Sequence, residues 1–350
     1  MKSAYSENDV TLLLKDITGL VTPLPTAERE RQIQNGVHYS EMLPLEYKPS
    51  EKYMEAYYFS LRTFAAQTAG AVCQVAEKIQ SLSGNEIVLV SLARAGIPIG
   101  ILIKRYLEKK YRKPVVHYAI SIIRDRGIDK NAVNYILSKH APASIQFVDG
   151  WIGKGAIQRE LDAAMVDYPE IRTKLAVLSD PANITDLCGT HEDILIPSSC
   201  LNSTVSGLLS RTVLRNDIIS ENDFHGAAYY SNLSSEDLSY SFIDTIEQYF
   251  DYHTIMKSAA PSGISGFEEA KQIAEHFSIQ NINFIKPGIG EATRVLLRRM
   301  PWKLILRPGY QNNPLLKHLV QLANEKNVPI EEYDLQNYKA CGIIKNLADA

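Results

Sequence analysis

The chain is poor in cysteine: four in 350 residues, Cys73, Cys188, Cys200 and Cys341, with no two in a C-x-x-C pair. That scatter excludes a zinc ribbon or a disulfide framework and suits a reducing compartment. No apolar run reaches the roughly 18 residues that a membrane-spanning helix needs, so no membrane partner is expected. The opening stretch MKSAYSENDVTLLLKD carries acids and lacks the apolar core of a signal peptide, which points to a cytoplasmic protein. No H-E-x-x-H or comparable spacing offers a protein-held metal. The net charge of −3 argues against a wholesale nucleic-acid binder, and no DNA partner is expected, although a local basic face is compatible with that total.

What is present is an ordinary globular composition, 45% hydrophobic and 22% charged, at a length that suits two domains. Residues 1–50 hold several prolines and read as an irregular leader with one short helix near Asn8 to Lys15. Residues 50–82 place apolar side chains at three- and four-residue intervals and predict a long helix. Beyond it, β-rich runs alternate with helical patterns. EIVLVSL, PVVHYAISII, SIQFVD, TKLAVLS and EDILIPS are five buried-strand candidates, which predict a mainly parallel sheet covered on both faces. From Asn216 to Met256 there is no Lys or Arg. This segment reads as the closing helix and loops of a first domain, residues 1–256. KSAAPSGISG, residues 257–266, has linker composition. Residues 267–350 read helix, strand, helix, strand, helix, strand and a last helical or loop segment, a second and smaller α/β domain. The charge also changes, with 11 Lys and Arg against 9 Asp and Glu over residues 261–350.

The stretch IQFVDGWIGKGAIQREL, residues 145–161, runs from a strand through an acid and three glycines into a helix. Such a turn offers backbone N–H groups to an anion at a helix start. It is not a Walker A loop: the first glycine position is Val148, and Gly155 stands where Ser or Thr would hold magnesium. It is not G-x-G-x-x-G either. An acid at a strand end can hold ribose hydroxyls, and the amides after it a monophosphate. VSLARAGIPIG, after the first strand candidate, brings Arg94 and Gly96 to a turn suited to a pyrophosphate. IIRDRGIDKNA puts Arg124, Arg126 and Lys130 on a polar loop fit for a lid. In an open α/β sheet all three loops lie beyond the C-terminal ends of the strands, where ligands bind.

Four blocks, HYSEMLPLEY, SLARAGIPIGILIKR, FVDGWIGKGAI and LIPSSCLNSTVSGLLSRTVL, resemble the phosphoribosyltransferase-like domain encoded in bacterial tellurium-resistance and stress gene clusters, a family also labelled cysteine protease StiP. The resemblance covers most of residues 25–255. It implies an α/β fold of the type I phosphoribosyltransferase kind, with a parallel sheet. Asp149 would hold the ribose of phosphoribosyl pyrophosphate, and Gly150, Trp151, Gly153, Lys154 and Gly155 would surround its 5-phosphate. Ala93, Arg94, Ala95 and Gly96 would face the pyrophosphate, with Mg2+ shared between ligand oxygens and water. Asp149, Arg124 and Arg126 are the catalytic candidates, in a reaction where the leaving pyrophosphate is stabilised electrostatically. One departure stands out: Gly150 replaces the second acid of the usual loop, and Lys154 stands near its Thr as a phosphate cation.

A thiol hydrolase would need a thiolate beside a histidine. Cys200, in ILIPSSCLNST, is the attractive nucleophile, just after a strand candidate and among hydroxyls. His191, His140, His38 and His225 are open as partners, with no local protease signature around any of them. The plain reading, a small buried cysteine at the sheet end, is preferred. Cys188 and Cys341 have no obvious company, Cys73 lies in an apolar helical pattern, and His117 reads as core.

In NFIKPGIGEATRVLLRR a strand ends at Lys286, a glycine turn follows, and a helix opens that carries Arg294, Arg298 and Arg299 on one side. Glycines allow close backbone approach, and arginines pair with phosphates or stack on bases. With VPIEEYDLQNYKACGII, this stretch resembles the Pelota/L7Ae-like RNA-binding domain over about residues 262–345. The resemblance implies RNA contact by Lys286, Gly288, Gly290, Glu291, Thr293 and Arg294, with Arg298 beside them. The expectation is therefore a phosphoribosyltransferase-like protein that takes a phosphorylated ribose ligand and binds RNA through its second domain, in nucleotide or RNA metabolism under tellurium or other stress. A non-catalytic nucleotide-sensing regulator and a Cys200 hydrolase are the alternatives. A homodimer is left open.

Overall fold

The computed structural model describes residues 1–84, 86–253 and 263–347. Most of the expected linker therefore lies outside the described residues. The chain opens with two short strands, β1 (Thr11–Leu12) and β2 (Lys15–Asp16), then α1 (Thr26–Gln34) and the long α2 (Glu51–Leu82). The Ser50 side chain caps α2 by accepting the Tyr53 N–H at 3.2 Å. Next come β3 (Val88–Leu92), α3 (Gly96–Tyr111), β4 (Val116–Ile120), the hairpin β5 (Ile122–Ile123) and β6 (Gly127–Ile128), α4 (Lys130–Leu137) and β7 (Ile145–Val148). They lead to α5 (Ala156–Ala164), β8 (Val177–Ser179), β9 (Cys188–Thr190), β10 (Gly226–Ala227) and α6 (Ser239–Glu247).

The sheet order is β1-β4-β3-β7, all parallel, and bridges from Val148 to Ala176 and Trp151 to Ser179 carry it on to β8 and β9. Every residue of β3 is buried, as a central parallel strand requires. Two sequence expectations fail here. Asn8 to Lys15 is not a helix: Thr11 pairs with Tyr118, and the Leu13 N–H donates to Ala119 O, because the VTLLL run completes the sheet edge. EDILIPS is not a strand. Its Asp193 carboxylate instead receives the backbone N–H groups of Ile289 at 3.0 Å and Lys339 at 2.8 Å, which ties that segment to the second domain.

The second domain follows as α7 (Gly266–His276), β11 (Ile285–Pro287), α8 (Ile289–Arg298), β12 (Pro301–Leu306), α9 (Lys317–Glu325), β13 (Ile330–Glu332) and β14 (Ala340–Ile344). The expected alternation holds up to β13. The last segment is a strand: ACGII is wholly buried and sits between β11 and β12, antiparallel to both. The result is a mixed sheet, ordered β11-β14-β12-β13. One apolar cluster runs unbroken from Tyr57 and Leu61 of α2 to Leu296 of α8 and Leu319 of α9, so the two domains share a core.

Inside the first domain, His117 Nε2 lies 2.8 Å from Ser91 Oγ and its Nδ1 2.8 Å from Asp9 O, joining two strands to the leader. Gly100 of α3 makes room for that pair, since a Cβ there would stand 2.2 Å from Ser91 Oγ and 2.4 Å from His117 Nε2. Gly100→Ala is expected to lower unfolding free energy by about 1–3 kcal/mol, read as a lower urea midpoint.

Candidate functional site

The loops after β3 and β7 meet at the C-terminal edge of the sheet. Gly96 permits this, because a Cβ there would stand 2.6 Å from Val148 O. Asp149 accepts the Gly150 N–H at 2.7 Å. Burial raises its carboxyl to about 6, against the downward pull of Arg294. A cavity of about 190 Å³ opens here, lined by Ala93, Arg94 and Ala95, by Asp149 and Trp151, and across from them by Arg211, Arg294 and Arg298.

The glycine turn after Asp149 is not an open phosphate cradle, which corrects the expectation for Gly150 to Gly155. It is the docking surface for the second domain. Trp151 packs flat on Gly290, where a Cβ would fall 2.4 Å from the indole. The Trp151 Nε1–H donates to Glu291 Oε1 at 3.2 Å, and the Arg294 guanidinium lies 4.3 Å from the ring centroid. Gly153 O accepts the Tyr338 hydroxyl at 2.5 Å. Lys154 is buried, and its ammonium donates to the carbonyls of Ile282 and, at 2.9 Å, Ile285, so it is no phosphate cation. Gly155, at φ 79°, lets the chain turn into α5.

The expected RNA-contact segment is the other half of the same seam, so it does not form a free face. Gly288, at φ 94°, packs near Asp193 and Tyr338. Thr293 is fully buried, donating to Ile289 O and lying 2.9 Å from His318 Nε2. Burial, then the neighbouring Lys154, lower Lys286 to about 7. Arg298 reaches Asn202, and Arg299 pairs with Glu30 at 2.5 Å.

The basic loop is not a lid over the cavity. It is the β5–β6 hairpin, pinned where Asp125 N–H and Gly127 N–H donate to Glu160 and where Arg126 pairs with Glu41. Arg124 pairs with Asp125 at 3.0 Å and stacks over Tyr39, while Lys130 pairs with Asp167. Neither Arg124 nor Arg126 lines the cavity, although Arg124 stacks on Tyr39, which does. Among the described residues no three His, Cys, Asp or Glu side chains converge as a metal site. Asp149 is the one carboxylate among the cavity residues, a poor match to a magnesium site held by protein carboxylates.

Cys200 is fully buried, and burial pushes its thiol up to about 12. Its neighbours are Ser60 and Ser199, with the Tyr53 hydroxyl donating to its carbonyl, and no histidine hydrogen-bonds to its sulfur among the described residues. The cysteine that does meet a histidine is Cys188, which the sequence reading left without company. Its Sγ lies 3.5 Å from His191 Nε2, His191 Nδ1 lies 3.0 Å from Asp180 O, and Asp180 Oδ2 is 3.7 Å from that same nitrogen. The signal available was C-x-x-H at a strand end, with an acid closing the strand before it.

Residues 3–247 match the family model described as tellurite-like stress resistance cysteine protease StiP, and residues 264–346 match the PELOTA RNA binding domain. A curated relative from Acinetobacter baylyi, named cysteine protease StiP, is 36% identical over 370 aligned positions, covering 98% of this chain and 94% of the relative. These matches overturn the expected phosphoribosyltransferase activity: the model and the relative that span the first domain carry a cysteine protease description.

The half-buried Asp149 gives a pH-dependent expectation. Its folded pKa, about 6, lies above the roughly 3.9 of an unfolded aspartate. The stability it contributes is fully present below pH ~4 and is lost as pH rises through about 6. Asp149→Asn is therefore expected to raise Tm by about 2 °C at pH 8 and leave it unchanged at pH 4, in paired thermal melts.

Proposed function

The chain belongs to the tellurite-like stress resistance cysteine protease StiP family, and from that premise we propose that it is a cysteine-dependent peptide hydrolase whose C-terminal domain binds RNA. The observation that carries the first half is the 3.5 Å approach of Cys188 Sγ to His191 Nε2. With Nδ1–H donating to Asp180 O, Nε2 is left without a proton, but the sulfur also lies 3.9 Å from Nδ1, over the ring, so the imidazole must turn to aim its Nε2 lone pair at the thiol before accepting its proton. Cys188 Sγ then adds to the peptide carbonyl carbon as its proton passes to Nε2. The imidazolium protonates the leaving amine, and water, deprotonated by His191, hydrolyses the thioester.

The resting sulfur is a protonated thiol. Cys188 is fully buried on β9, in the apolar cluster with Val177 and Ala182, and burial holds its thiol at about 12. The Lys78 ammonium clips that edge shut by donating to Asp186 O at 2.8 Å and Cys188 O at 2.7 Å. Reaction begins when the edge parts and water or substrate reaches the sulfur. The RNA half is supported by the match over residues 264–346.

Cys188→Ser and His191→Ala are each expected to cut hydrolysis of labelled casein by at least about a hundredfold, while Cys200→Ser retains it. Full activity in Cys188→Ser would remove this pair from the reaction. RNA affinity is expected to fall steeply with added salt, and a flat dependence in a titration would sink the RNA reading.

A further inference from the structure

The interdomain cavity holds more positive charge than its carboxylates balance. Its four arginines come from distant parts of the chain: Arg94 after β3, Arg211 ahead of β10, and Arg294 and Arg298 one turn apart on α8. Arg94 is paired to Glu46 at 2.6 Å, and Arg294 to Glu291 at 2.7 Å. Arg298 makes no ion pair among the described residues and donates only to the Asn202 amide oxygen. Arg211 makes no ion pair among them either. Its guanidinium lies 4.2 Å from the Tyr39 ring centroid, and its Nε is buried without a hydrogen-bond partner. Behind it, the buried Arg29 also has an unpartnered Nε. Burial, then the nearby Arg29, depress the Arg211 guanidinium to about 9. Desolvated cations crowded together cost free energy unless an anion joins them. Asp149 is the one carboxylate among the residues that line the space.

We propose that this cavity seats the terminal phosphate of a single-stranded RNA bound by the C-terminal domain, with Arg211 and Arg298 supplying the unneutralised charge. The inference rests on the RNA-binding reading given above. The phosphate follows from chemistry: planar guanidinium forks match a doubly charged group with three acceptor oxygens better than a single carboxylate. The strand end follows from size, since a cavity of about 190 Å³ is smaller than the sites that enclose drug-sized ligands, room for a phosphate and not for a duplex. RNA as the source follows from the walls, because Arg294 and Arg298 stand on a helix of the domain matched to RNA binding. Ser198, Asn202 and Thr212 add polar groups around the same space.

The test measures fluorescence anisotropy of the full chain with short single-stranded RNAs that end in a phosphate or a hydroxyl. The phosphate-ended strand is expected to bind at least about tenfold more tightly. Arg211→Gln should erase that advantage while leaving the hydroxyl-ended strand's affinity within about twofold, and Arg298→Gln should erase it too. Arg211→Lys, which keeps the charge and loses the fork, should retain part of it, and thermal melts of all three variants check folding. RNA binding with no preference for the phosphate end, or a preference that survives both glutamine variants, overturns the seat and leaves the RNA reading standing. No binding of any strand removes both. Inorganic phosphate that raises Tm in the wild type but not in Arg211→Gln, without weakening RNA binding, would assign the cavity to a free anion and overturn the RNA source.

Discussion

Trp151 packed on the bare backbone of Gly290 and against the guanidinium of Arg294, one turn further along α8, is the contact that organises the seam between the domains. The indole fills the space a side chain at 290 would need, and the Arg294 cation lies on its π face. Glu291 completes the joint, taking the indole N–H and the arginine together. Around this joint Lys154 satisfies two carbonyls of the second domain, while Asp193 accepts the backbone N–H groups of Ile289 and Lys339. Without it α8 would not stand opposite the Asp149 edge, and no shared cavity would exist.

The two chemistries argued for the chain occupy different surroundings, and the difference is one of solvation. Arg211 and Arg298 line a cavity, where guanidinium groups still have space for a partner. Cys188 and His191 lie at the sheet's far edge, where burial suppresses ionisation of the thiol. The first is charged and waiting for a counter-ion. The second keeps its sulfur protonated while the sheet edge stays closed.

Much of the frame was legible because it rests on local pattern. The period of residues 50–82 gave α2 to within one residue, and apolar runs gave β3, β4, β7 and β8. The second domain's helices followed from the same reasoning. Misreadings came where a tertiary partner overrides local signal. VTLLL is a sheet edge because β4 is there to pair with it, and ACGII is a strand because β11 and β12 leave a gap for it. The site was legible at the level of the two loops around Arg94 and Asp149, but not in its far wall. Nothing in the letters around Arg211 shows that it faces α8, and glycines read as space for a ligand are space for Trp151. Cys188 was passed over because His191 becomes its partner only through the turn that follows β9.

The unbroken apolar cluster from α2 to α9 has a bearing on cooperativity. Two sequence families meet in this chain, and beside the apolar cluster that each keeps to itself, a larger one spans both. Leu296 and Leu319 of the second domain complete the packing around Tyr57 and Leu61 of the first. Prising the halves apart exposes apolar surface on both, and heat or denaturant should dissolve them in one transition instead of two. The boundary is a feature of ancestry, while the thermodynamic unit is the whole chain.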